Sequence, residues 1–173
     1  MTEQPRFTEE SSAFYAGTGL RFGCRRCSAC CRFTPGFVLL SPIDLVDLMA
    51  AVAVSWEEFK RRFLRPLRIG PFIRLSLREK ANYDCIFWEN DGCRVYDHRP
   101  LQCRSFPFWS HILSSRSAWN EQKKNCPGMD RGPLHDPREI SAWLQARLND
   151  RLVELSDDDL AGLTEDAALG RGD

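Results

Sequence analysis

The sequence predicts an α+β fold: a small metal-centred domain with a β-hairpin, short strands and about three to four helices. Three observations predict it. Apolar residues recur with a period near 3.6 in some segments and near 2 in others. An Asn90-Asp91-Gly92 turn separates two apolar, cysteine-bearing runs. Eight cysteines stand in 173 residues, a length that suits one domain. Composition divides the chain into a polar N-terminal arm over 1–20, a cysteine-cluster metal-binding domain over 21–150 and an acidic C-terminal tail over 151–173.

Residues 1–23 show neither period and read as a loop or arm. Gly17, Gly19 and Gly23 only approximate a dinucleotide fingerprint, because the third glycine falls one place late and no strand precedes it. Phe37-Val38-Leu39-Leu40 reads as a short buried strand. Ser41-Pro42 then supplies an N-cap and a preorganised first position, with Asp44 suited to the helix N-terminus. Leu45, Leu48, Met49 and Val52 follow at i, i+3, i+4, i+7 and form a core face. A second helix is expected from Ser55, with Glu58 completing a capping box, Val54 stapling onto Phe59 and Pro66 ending the run.

Ile73, Leu75 and Leu77 alternate with Arg74 and Ser76, the pattern of a half-buried strand. Cys85-Ile86-Phe87-Trp88 and Cys93-Arg94-Val95-Tyr96 form the predicted hairpin. Pro100 and Pro107 with Phe106, Phe108 and Trp109 predict a packed irregular segment over 99–110. Asp136-Pro137 opens a third helix with Ile140, Trp143, Leu144 and Leu148 on one face, and Ser156 begins a short acidic one before a solvated end.

Lysine plus arginine and aspartate plus glutamate number 24 each, so net charge gives no argument for nucleic-acid binding. The charge is uneven: residues 1–149 hold 22 bases and 16 acids, residues 150–173 two and eight. No run approaches 18 apolar residues, so no membrane span is expected, and the N-terminal residues lack the pattern of a signal peptide. A cytoplasmic location is therefore expected, where closely spaced thiols serve as metal ligands rather than disulfides.

Cys24, Cys27, Cys30 and Cys31 form C-x2-C-x2-C-C. Two intervening residues let a tight turn aim both sulfurs at one metal, as in zinc and iron–sulfur sites. The first three follow a bacterial ferredoxin register, whose fourth ligand is a distant cysteine before proline; Cys126-Pro127 is such a pair. Cys31, Cys85, Cys93 and Cys103 remain, which leaves open two four-thiolate sites, one site with structural thiols, or one polynuclear site. A four-residue turn at 89–92 puts Trp88 opposite Cys93 and separates Cys85 and Cys93 onto opposite faces; a bulge at Gly92 reverses this. Arg25, Arg26, Arg32, Arg94 and Arg104 adjoin cysteines and would balance thiolate charge.

The block Cys24 to Cys31, the later Cys85-Ile-Phe-Trp and Cys93-Arg-Val-Tyr-Asp-His-Arg-Pro-Leu-Gln-Cys103-Arg-Ser-Phe-Pro-Phe, and Asn-Cys126-Pro-Gly-Met together resemble the YkgJ-type cysteine-cluster family across about residues 21–135. Zinc or iron chelation is ascribed to that family. The resemblance implies Cys24, Cys27, Cys30, Cys31, Cys85, Cys93, Cys103 and Cys126 as the metal ligands, with Arg99, Pro100, Arg104, Phe106 and Pro107 as motif residues around them. Relatives carry glycine within the first cluster where this chain has Ser28-Ala29, a departure expected to alter the local turn. Flagellin lysine methylases carry a similar block, which implies that the domain can stand beside methyl-transfer chemistry. This chain has no convincing S-adenosylmethionine site and no C-x3-C-x2-C.

The residues thus predict a cysteine-cluster metal-binding protein. Its cofactor is expected to be an iron–sulfur cluster or iron in a redox or accessory role; the alternative is structural zinc, and a second alternative is a part in a methyl-transfer or other enzyme system. No redox or protein partner and no catalytic residue is identified. A nucleophilic cysteine is disfavoured, since His98, His111 and His135 sit in no motif that pairs them with one. His98 is the best substitute ligand beside the cluster, and Trp88, Phe108 and Trp109 are candidates to line a nearby pocket.

Overall fold

The computed structural model describes residues 13–171. Strand β1 (Leu20–Phe22) is followed by the cysteine loop, then by helices α1 (Pro42–Val52) and α2 (Trp56–Phe63). Strands β2 (Leu64–Ile69) and β3 (Phe72–Leu77) form a hairpin, and β4 (Trp88–Glu89) and β5 (Gly92–Cys93) a shorter one. Helices α3 (Leu101–Arg104) and α4 (Arg116–Lys123) lead to β6 (Met129–His135), α5 (Pro137–Asn149), β7 (Glu154–Leu155), α6 (Asp157–Ala161) and α7 (Glu165–Leu169). The α+β class expected from the sequence is the one observed, with more and shorter helices than expected. No helix among the described residues is long and apolar enough to cross a membrane.

Local chemistry explains the best-read elements. Ser41 and Asp44 close a reciprocal capping box on α1. Leu45, Leu48 and Val52 on its predicted face are buried. Asp136 and Glu139 do the same for α5. Ser55 caps α2, but Glu58 pairs with Arg62 at 2.7 Å instead of returning to the cap. Pro66 does not end that helix. It lies inside β2, an edge strand of the order β2-β3-β7, where a residue without an N–H is tolerated.

Several expectations are corrected. Residues 1–12 of the arm lie outside the described part. Beyond them Tyr15 and Leu20 are buried, and β1 pairs antiparallel with β6. Gly19 serves that pairing, at φ 65° with a Cβ position only 2.3 Å from the His135 carbonyl oxygen, so this glycine is structural. Leu39 makes only an isolated bridge to Ser76, and Phe37 is exposed. Leu148 on α5 is 79% exposed rather than core. The C-terminal end is not solvated throughout: Val153, Leu155, Leu163 and Ala168 are buried, and β7 pairs with β3.

The buried side chains form two clusters. One gathers Leu45, Phe59, Leu75, Phe87 and Leu155 under the β2-β3-β7 sheet, with Cys85 and Cys93 packed against it. The other gathers Leu20, Phe108, Trp119, Met129 and Ile140, with Cys126 packed against it. Cys85 and Cys93 on one cluster and Cys126 on the other put cysteines on both sides of the junction between the two half-cores. Gln102 helps tie that junction, accepting Leu39 N–H at 3.0 Å and donating to the Phe37 carbonyl at 2.8 Å.

Candidate metal centre

The first cysteine loop has no helix or strand until a 3-10 turn at Ala29–Cys31. It curls through left-handed residues, Arg26 at φ 53° and Ser28 at φ 62°, with Phe33 at φ 74° beyond. Such conformations are rare for non-glycine residues and reverse the chain within a few positions. They present Cys24, Cys27 and Cys30 on the surface. The turn expected to differ where Ser28-Ala29 replaces glycine is built with Ser28 itself in the glycine-favoured region.

Four separate segments bring the other thiols alongside. The Cys85 N–H donates to the Cys31 carbonyl at 2.7 Å and fastens the second segment to the first. Cys93 lies opposite Trp88 in the two-stranded ladder, as the four-residue turn predicts. Asn90 and Asp91 both have positive φ, as a type I′ turn requires. The ladder is only two residues per strand, and Cys85 lies before it, bridged to Glu79. The opposite-face argument therefore does not apply: the Cys93 charge bears on Cys85.

Electrostatics gives the neighbourhoods. Cys31 feels Cys30, Cys103 and Cys85; Cys103 feels Cys85, Cys30 and Cys93. Cys126 feels Cys27 first and Cys30 next. Cys24 stands against the Tyr96 hydroxyl, which that sulfur and burial together push above the usual tyrosine range. Cys30 is common to almost every pair. Its Sγ lies 3.7 Å from that of Cys31. The hydrogen bond from Cys31 outweighs burial and, with Arg99, lowers the Cys30 thiol to about 7. Cys31 is pushed up correspondingly. Burial raises Cys85 to about 11 and raises Cys93, Cys103 and Cys126 as well.

Arg99 is the cation whose charge bears on Cys30, Cys93 and Cys103. The arginines next to cysteines in sequence are used differently. Arg32 pairs with buried Asp84 at 3.1 Å and stacks on Trp88 at 3.6 Å, Arg104 donates to the Arg99 carbonyl, and Arg94 lies 3.9 Å from Glu89. Arg26 and Arg99 both lie over Tyr96, at 4.1 and 3.7 Å. Tyr96 is the residue sequence reasoning missed; its position three after Cys93 was the available signal. His98 and His111 are exposed, and His135 contacts the Phe22 carbonyl at 3.2 Å. No histidine hydrogen-bonds to a cysteine among the described residues.

Cys30, Cys31, Cys85 and Cys103 also line an open cleft of about 790 Å³. Trp109 is on its wall, whereas Phe108 is core and Trp88 is covered by Arg32.

The donor type fits a thiophilic metal: eight thiols are carried on five segments, and the charge of Arg99 bears on three of them. As placed, no group of three or more His, Cys, Asp or Glu among the described residues stands ready to hold one ion.

The sequence profile of the CxxCxxCC family, described as "Putative zinc- or iron-chelating domain", matches residues 23–127, more than half of the chain. The chain belongs to the CxxCxxCC family. All eight cysteines fall within the match, as do Tyr96 and Arg99. No solved structure matches this CxxCxxCC chain.

Proposed function

We propose that the protein binds metal through two thiolate quartets, Cys24, Cys27, Cys30 and Cys126 in one and Cys31, Cys85, Cys93 and Cys103 in the other, and that the first holds an iron–sulfur cluster with a redox or accessory role. One observation carries this reading: the charges of Cys27 and Cys30, the partners a ferredoxin-type register requires, both bear on Cys126, which is followed by Pro127. The charges of Cys85 and Cys103 on Cys31, and of Cys93 on Cys85 and Cys103, support the second quartet, with Cys30 bearing on all four of its members from the first. A cluster bound there supplies one-electron chemistry. The chain's own contribution is cationic and steric: Arg99 offsets thiolate charge, and Tyr96 packs Cys24 under Arg26.

Zinc is the second reading, favoured by the absence of helix or strand over 23–28, a segment that a structural ion would hold in place. Metal and acid-labile sulfide analysis of protein purified without oxygen separates the two. Iron near four per chain with matching sulfide and visible absorption supports the cluster, and its loss in Cys126→Ser but retention in Cys103→Ser supports the quartets. Zinc near two per chain without visible absorption overturns the iron reading. Equal loss in both variants overturns the division.

A further inference from the structure

A structural metal site is closed by protein, but four of these thiols reach an open cleft. Its lining includes the apolar side chains of Phe37, Phe106, Trp109, Leu144 and Leu148. Phe37 and Leu148 are large apolar residues left 52% and 79% exposed. Apolar side chains gathered at the rim of a cavity of this size are characteristic of a small-molecule site.

Charge narrows the class of ligand. Three arginines line the cleft. Arg32 is satisfied by Asp84 and Arg147 by Asp150, both at 3.1 Å. Glu79, the carboxylate on the wall, is held by Arg65 at 3.0 Å. Arg78, which borders both this cleft and the hollow beside α2, is exposed and has no carboxylate within salt-bridge distance among the described residues. The cleft thus offers apolar walls and one uncommitted guanidinium.

We propose that this cleft binds a small organic anion with an apolar body, an aryl or medium-chain carboxylate, whose charged head meets Arg78 and whose body lies between Phe37, Trp109 and Leu148. An occupant lies against Cys30, Cys31, Cys85 and Cys103, so the thiol cluster is placed to act on, or respond to, a bound molecule. The inference rests on the walls of the cleft; the metal reading enters only through what forms its floor.

The test is titration of the purified full chain with 8-anilinonaphthalene-1-sulfonate, an aromatic anion that fluoresces on entering an apolar site, with metal content measured on the same sample. Saturable binding of one probe per chain is expected, displaced by octanoate but not by octylamine. Leu148→Glu is expected to weaken binding about tenfold, since a carboxylate at the mouth repels the anion and removes apolar contact, and Arg78→Gln by about threefold. Ile43→Glu, at a 71% exposed position away from the cleft, is expected to leave it unchanged. Absence of saturable binding, equal displacement by octylamine, or equal weakening by Ile43→Glu overturns the proposal. Retained metal without probe binding sinks the cleft alone. Retained binding without metal sinks the metal reading and leaves the cleft standing.

Discussion

The carboxylate of Asp44 accepts the backbone N–H of Leu101 at 2.9 Å, so the residue that caps α1 also serves the start of α3, the helix carrying Cys103. The same buried group accepts the Ser41 N–H at 3.1 Å and the Ser41 hydroxyl at 3.0 Å. No side chain of α3's own N-cap does this work, because Pro100 stands there. Asp44→Ala strands these donors in a buried site and is expected to cost about 3 kcal/mol in urea unfolding, with Asp44→Asn costing less because one oxygen remains. A loss below about 0.5 kcal/mol for the alanine variant would contradict this account.

Asp130 gives the fold an acid-side dependence. Burial works against its ionisation but is outweighed by Lys123 Nζ at 2.6 Å and Trp119 Nε1 at 2.8 Å, so its carboxyl sits below the usual aspartate range. A depressed folded pKa contributes stability that is complete above the unfolded value of about 3.9 and is lost as pH falls through the folded one. Asp130→Asn tolerates the positive φ of this position and keeps an acceptor for Trp119. Its melting temperature is expected to fall a few degrees below wild type at pH 7, with the gap narrowing as pH falls below the unfolded value of about 3.9. A gap that stays constant from pH 7 to pH 3 would rule out the charge as its cause.

Ser28, at φ 62° between Cys27 and Cys30, is the point where the first loop reverses. A β-branched residue is strongly disfavoured there and glycine is not. Ser28→Val is expected to destabilise by about 1–2 kcal/mol and to lower metal content, while Ser28→Gly matches or slightly exceeds wild type. Denaturant unfolding paired with metal analysis checks both. Equal behaviour of the two variants would mean that the loop does not use this conformation.

What was legible in the sequence is what local chemistry determines. Ser41-Pro42 and Asp136-Pro137 announce their helices because capping is settled within four residues, and Asn90-Asp91-Gly92 announces its turn because positive φ restricts residue choice. The cysteine spacing pointed to the family's chelating domain, but not to Tyr96 or the reach of Arg99 across Cys30, Cys93 and Cys103, since these depend on segments meeting in space. Strand β2 was hidden by Pro66, which only an edge position permits. The charged surroundings of Val153, Leu155 and Leu163 likewise hid a buried stripe too sparse to show a period.

That stripe decides what deletion of the acidic tail would cost. The Val153 N–H donates to the Leu40 carbonyl at 2.9 Å, Leu155 pairs with Ile73 across the sheet, and Trp56 Nε1 reaches the Leu163 carbonyl at 3.5 Å. Burying each such aliphatic side chain stabilises by about 2 kcal/mol, so removing Val153, Leu155 and Leu163 forfeits about 6 kcal/mol. A domain holds only about 5–15 kcal/mol in total. Ending the chain after Asp150 is therefore expected to give a protein without a cooperative thermal transition and with reduced metal content, because Cys85 and Cys93 pack on the same cluster. Leu155→Ala, costing about 2–4 kcal/mol, tests the point without truncation. A truncated chain that melts like the full one and keeps its metal would show that β7, α6 and α7 contribute nothing to the core.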